Sequence, residues 1–218
     1  WAASQLYSLT GNTEYAAIAA EHIRYTVDCQ ETRPLENGLR GWFYRNREGH
    51  SIVHYIHQSR EQIYMQAMEI LCRTQPDHPD IHLWENSMKL YGEYLKGLRQ
   101  YTEPYGMLAS GVWKTDEWED EKGFSSLHIF APADAPETYS EQVKNGVKID
   151  EKHYVKRFPV WLNIFNGNTA IHLSTGKAAA ICGKYFKDEE LIQIAAEQLY
   201  WTTGKNPFGQ SLIYGEGY

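Results

Sequence analysis

The sequence predicts an all-α fold assembled from helical hairpins, and three observations carry that prediction. Apolar residues recur at helical spacing: Ile81, Trp84, Met88, Tyr91, Leu95 and Leu98 fall three or four apart, which is one face of a 3.6-residue period. Residues 10–27 and 186–203 are also alike. Laid side by side, Ile18, Ala19, Ala20 and Glu21 fall on Ile194, Ala195, Ala196 and Glu197, while Ile23 falls on Leu199, Tyr25 on Trp201 and Thr26 on Thr202. Each copy follows another helical stretch through a tight polar turn, Gly11-Asn12 or Lys187-Asp188. Self-similar hairpins mark a helical array, closed or open; chance likeness between two amphipathic helices is the other explanation. Finally, proline and glycine punctuate two long irregular stretches, 33–58 and 103–158, that interrupt the periodic ones.

In chain order, a first helix is expected over 1–9, stopped at Gly11. A second spans 13–30, with Asn12 or Thr13 as its N-cap; Tyr15, Ile18, Ala19, His22, Ile23, Thr26 and Val27 form its inner stripe. Within 33–58, Gly41-Trp42-Phe43-Tyr44 has the composition of a short strand. Helix three is expected over 59–73 and helix four over 80–101, its seam facing neighbouring helices. The excursion at about 103–158 holds Pro104, Gly106, Gly111, Pro132, Pro136 and Gly146. A loop of that length inside a domain is functional or carries small strands of its own. Helix five is expected over 168–186, with Asn168 or Thr169 as cap, and helix six over 188–203, stopped by Gly204. Six helices make three hairpins, and residues 1–218 read as one unit.

Composition narrows the function. A net charge of −7 argues against a nucleic-acid partner, which demands phosphate-neutralising Lys and Arg. No apolar run is long enough to span a membrane. The chain opens inside a predicted helix rather than on a signal peptide, so we expect it to be cut from something longer. Cys29, Cys72 and Cys182 lie far apart in helical surroundings, which reads as buried free thiols rather than a metal site. The 16 Tyr and 7 Trp suit a protein that stacks rings on sugar faces, although helical layers also use aromatics as filler.

The tail is the most distinctive stretch. Gly204, Asn206, Pro207, Ser211, Gly215 and Gly217 form a pattern G-x-N-P-x-x-x-S-x-x-x-G-x-G, directly after a helix. It resembles the C-terminal glycine loop of family 9 glycoside hydrolases and related six-hairpin glycosidases. The resemblance implies a partial or split (α/α)6 toroid, with this chain as the C-terminal half of the catalytic domain and the remaining half of the toroid as its partner. It implies an extracytoplasmic carbohydrate-active hydrolase degrading an oligosaccharide or polysaccharide with inversion, which needs two carboxylates on opposite sides of the scissile bond. The paired-aspartate motif and the acid glutamate of that family have no counterpart here, so the segment alone is expected to be inactive. A polysaccharide lyase on the same toroid, with His54, Tyr55, His57 and Arg60 supplying base and carboxylate neutraliser, is one alternative. A non-catalytic carbohydrate-binding module is another.

Candidate site residues follow from these readings. Glu216, between two glycines and beside Tyr214, is the one candidate general acid; it reads equally as an exposed loop carboxylate. Trp42, Tyr105, Trp113 and Trp161 are candidate stacking platforms because they lie in loops beside helix ends, and Tyr214 joins them in the tail. His57 and Arg60, at the expected start of helix three, and Asn206 are candidate hydrogen-bond donors, with Asn166 and Asn168 behind them. His57 also reads as a local cap. No cofactor and no resident metal are expected. The acidic run 116–121 is compatible with calcium through its oxygen ligands, but lacks EF-hand spacing and reads first as a solvated loop.

Overall fold

Local capping sets the ends of the first hairpin. The structure, a computed structural model, describes residues 1–54, 61–127, 132–162 and 168–216. Helix α1 (Ala2–Thr10) stops at Gly11, whose left-handed φ of 69° lets its N–H bond the Tyr7 carbonyl. The Asn12 side chain accepts from the Glu14 N–H and opens α2 (Thr13–Asp28). The third and fourth helices are α3 (Glu61–Thr74) and α4 (Ile81–Arg99), the latter tightening into a 3-10 turn at Gln100–Thr102. The last pair, α7 (Asn168–Phe186) and α8 (Glu189–Thr203), is joined through Asp188, whose carboxylate accepts from the Leu191 N–H.

Consecutive helices pair as α1 with α2, α3 with α4 and α7 with α8. The pairs stand side by side: α3 contacts both α1 and α7, and α4 contacts both α2 and α8. The chain is thus mostly helical and built from three adjoining hairpins. The seam on α4 buries Trp84, Met88, Tyr91, Leu95 and Leu98 against Met65, Met68 and Leu71 of α3, Cys182 of α7 and Ile194 of α8. Each such side chain contributes about 1.5–3 kcal/mol when fully removed from water.

The expectation of an all-α chain needs one correction. The excursion folds into β1 (Gly111–Lys114), a 3-10 turn at Glu117–Glu119, α5 (Glu121–Leu127), α6 (Ala135–Lys144), β2 (Val147–Lys148) and β3 (His153–Lys156). The strands form an antiparallel sheet of order β1-β3-β2, with Val112 opposite Val155 and Trp113 opposite Tyr154. Strand alternation then sorts the side chains. Val112 and Val155 point into the main helical core, while Trp113 and Tyr154 point into a second core with Phe124, Tyr139, Val143, Val160 and Leu162. Residues 41–44 form no strand; Phe43 and Tyr44 make isolated bridges to Gln30 and Ile52.

The repeat noted in the sequence does not carry burial with it. Ile18 and Tyr25 of α2 are exposed, whereas their counterparts Ile194 and Trp201 of α8 are buried. Conversely Ile23 is buried and its counterpart Leu199 exposed. The reason is position: α2 and α8 flank α4 from opposite ends of the array, so each turns a different face of the shared pattern inward. All three cysteines are free and buried, and burial pushes the Cys72 and Cys182 thiols up to about 12. No described helix is long and apolar enough to cross a membrane.

Candidate functional site

Among the described residues, a site-like feature lies where α6 and β3 end together. Tyr139 and Val143 fasten α6 to the second core. Gly146 then lets the chain turn tightly against β3: a Cβ there would sit 2.6 Å from the Val155 carbonyl oxygen. Gln142, on α6, holds the segment after β3 from both sides. Its Oε1 accepts from the Trp161 N–H at 2.7 Å and its Nε2 donates to the Trp161 carbonyl at 2.8 Å. Lys156 Nζ donates to the Gln142 carbonyl, and Arg157 Nε donates to the Tyr101 carbonyl at 2.7 Å.

These contacts border an open cavity of about 390 Å³ lined by Gln142, Asn145, Lys156, Arg157, Phe158 and Trp161 among others. Phe158 is 43% exposed and Trp161 42%, so two aromatic rings face solvent beside amide and cationic groups. Burial lowers the Lys156 pKa from its ordinary value. Chemically the site offers flat apolar surface and hydrogen-bond donors, with no nucleophile or acid–base pair.

Of the described residues singled out in the sequence, Trp161 lies in this site and the others do not. Trp42 is 2% exposed, packed against Tyr44, Tyr94 and His153. Trp113 is 2% exposed in β1, its ring stacked 3.5 Å from that of His54. Neither offers a free face, which corrects the stacking role expected of them: the segments that carry them are packed as core. Tyr105 is partly buried and meets Trp201 edge-on. Asn206 is buried and spends its side chain closing the tail turn. Its Nδ2 donates to the Trp201 and Gln210 carbonyls and its Oδ1 accepts from the Phe208 N–H, so its part is structural. Tyr214 and Glu216 are exposed on the tail, with the Glu216 N–H bonded to the Ile213 carbonyl. His57 and Arg60, like Tyr55 and Asn166, lie outside the described residues; Asn168 is the first residue of α7.

The acidic run 116–121 is occupied by the protein itself. Asp116 pairs with Lys152 and Lys114, and Asp120 accepts from Ser51 Oγ and the Gly123 N–H. Glu117 turns inward, accepting from the Lys114 and Ile52 N–H groups and meeting His54 Nε2 at 2.7 Å. Among the described residues, no group of three or more His, Cys, Asp or Glu side chains is arranged to hold a metal.

Sequence reasoning missed Gln142, Asn145, Lys156, Arg157 and Phe158 as a set. The available signal was the run Lys156-Arg157-Phe158-Pro159-Val160-Trp161, two cations and two large aromatics bracketing a proline in a chain that is otherwise acidic. No family model matches the chain, and no curated protein or solved structure matches it.

Proposed function

We propose that this chain is part of a carbohydrate-active glycoside hydrolase, contributing binding residues to an enzyme that cleaves an oligosaccharide or polysaccharide by inversion. The observation that carries the reading is the open cavity at Trp161 and Phe158, whose rings and neighbouring donors suit a pyranose face and its hydroxyls. Two features add support. The hairpins adjoin in chain order, as in an arc of an (α/α)6 toroid. The end helices expose apolar side chains, Ile18 and Tyr25 on α2 and Ile192, Leu199 and Tyr200 on α8. Ile18 and Tyr25 align with the buried Ile194 and Trp201, and Ile192 and Leu199 with the buried Ala16 and Ile23, as further hairpins at both ends would require. The remaining half of the toroid is the proposed partner, and would supply the carboxylate pair. Extracytoplasmic placement goes with this reading.

A lyase on the same scaffold is the second reading. For it, Glu117 orients the His54 imidazole, but both side chains are buried, so the base would have to come from elsewhere. Incubating the full-length gene product with polysaccharides tests both. New reducing ends without ultraviolet-absorbing product support the hydrolase, unsaturated ends support the lyase, and binding without turnover overturns both in favour of a non-catalytic module.

A further inference from the structure

We propose that the cavity between the ends of α6 and β3 binds an acidic saccharide, with its pyranose ring laid on Trp161 and its anionic group, carboxylate or sulfate, met by Lys156 and Arg157. This rests on the carbohydrate reading above and adds the charge of the ligand.

The charge distribution is the first argument. The chain carries −7 overall, yet among the described residues the cavity is lined by two cations and no carboxylate. Elsewhere Lys96 is neutralised by Asp188, Arg99 by Glu197 and Lys114 by Asp116. Lys156 and Arg157 form no ion pair among the described residues; each is steadied by a backbone carbonyl. An ammonium withdrawn from water without a counter-charge is costly, and the lowered Lys156 pKa expresses that cost. An anion in the cavity would offset it.

Geometry is the second. Arg157 uses Nε for the Tyr101 carbonyl, which fixes the guanidinium while its terminal N–H groups keep the fork that fits a carboxylate or sulfate. Trp161 is held through both its N–H and its carbonyl by one glutamine side chain, so its backbone is already ordered before a ligand arrives. Asn145 lines the same cavity, and its side chain makes no hydrogen bond among the described residues, leaving it for a ring hydroxyl.

The test is titration calorimetry on the whole 218-residue chain with four probes: an oligogalacturonate, its fully methyl-esterified form, a sulfated neutral-backbone oligosaccharide, and a nucleoside monophosphate. Binding of the acid form at least about tenfold tighter than the ester is expected, since esterification removes the charge-assisted hydrogen bonds to the cations. Lys156→Met should abolish most of that preference by weakening the acid form far more than the ester, and Trp161→Ala should weaken both alike. The sulfated probe separates sulfate from carboxylate as the preferred anion. Equal affinity for acid and ester would overturn this inference and leave the carbohydrate reading standing. Binding of no saccharide would overturn both, and tighter binding of a nucleoside monophosphate than of any saccharide would replace the ligand class. The acid-against-ester comparison on the unaltered chain decides the matter even if a variant fails to fold.

Discussion

His172 gives the sharpest quantitative test of the fold. It lies in α7, 4% exposed, and its Nδ1 is buried without a hydrogen-bond partner among the described residues. The ring meets Trp201 edge-on at 6.0 Å and Phe158 at 6.5 Å. Burial among such neighbours disfavours the charged form and pushes the pKa from 6.5 down to about 4. A depressed histidine pKa means that the unfolded chain takes up a proton at a pH where the native one does not. Stability is therefore intact above the unfolded value and declines as pH falls from 6.5 towards about 4, below which the loss is complete. With those two values, linkage gives a loss of about 2.5 kcal/mol between pH 7 and pH 4.5 from this residue. The perturbation is His172→Phe, which keeps a ring and removes the titration. Urea unfolding of both proteins at half-unit pH steps yields the stability difference as a function of pH. Any fixed packing offset shifts that curve vertically, and carboxylate titration common to both proteins cancels. The difference should move in favour of the variant by about 2.5 kcal/mol on acidification over that range. A curve flat to within about 0.5 kcal/mol, or one sloping the other way, would refute a buried neutral His172.

Three further outcomes are expected. Gly41→Ala should cost at least about 2 kcal/mol by chemical denaturation, because φ is 109° there and a Cβ would stand 2.5 Å from the Leu90 carbonyl oxygen; an unchanged midpoint would contradict the close approach of this loop to α4. Asn206→Ala should lower stability by about 1–3 kcal/mol and speed limited proteolysis after residue 204, since its amide closes the tail turn. Trp161→Ala should weaken oligosaccharide binding about fivefold, roughly 1 kcal/mol, while Glu216→Gln leaves it unchanged and the purified chain shows no turnover; steady hydrolysis abolished by Glu216→Gln would make that carboxylate catalytic.

Helix limits were the most legible part of the fold because their signals are local. The cap at Asn12, the stop at Gly11 and the α4 seam each involve residues within a turn or two of one another. Helix α6 was equally periodic, with Ala135, Tyr139 and Val143 four apart and all buried. It was hidden by Pro136, read as loop punctuation. Proline in the first turn of a helix gives up an N–H that has no helical partner there, so in that position it marks a beginning. The strands were illegible for a different reason. Gly111 pairs with Lys156, and a ladder between segments that far apart leaves no local trace of its register.

The aromatic candidates show what separates a packed ring from an available one. Trp42, Trp113 and Trp161 all lie outside the long helices, and loop position alone favoured all three. Strand β1, however, is covered on both sides: Val112 faces the helical core and Trp113 the second core. No face of that strand is left for a ligand. After β3 the chain is covered on one side only. Val160 and Leu162 turn into the second core, and the residue between them is left 42% exposed. That residue is Trp161. Its neighbours hold it outward as surely as Gln142 holds its backbone, and the alternation Val-Trp-Leu was readable in the sequence. What could not be read there was that the end of α6 would stand beside it, bringing Gln142 and Asn145 to the same cavity as Lys156 and Arg157. A binding face in this chain therefore needs two conditions, an aromatic at the outward parity and a segment covered on a single side, and Trp161 meets both where Trp113 meets neither.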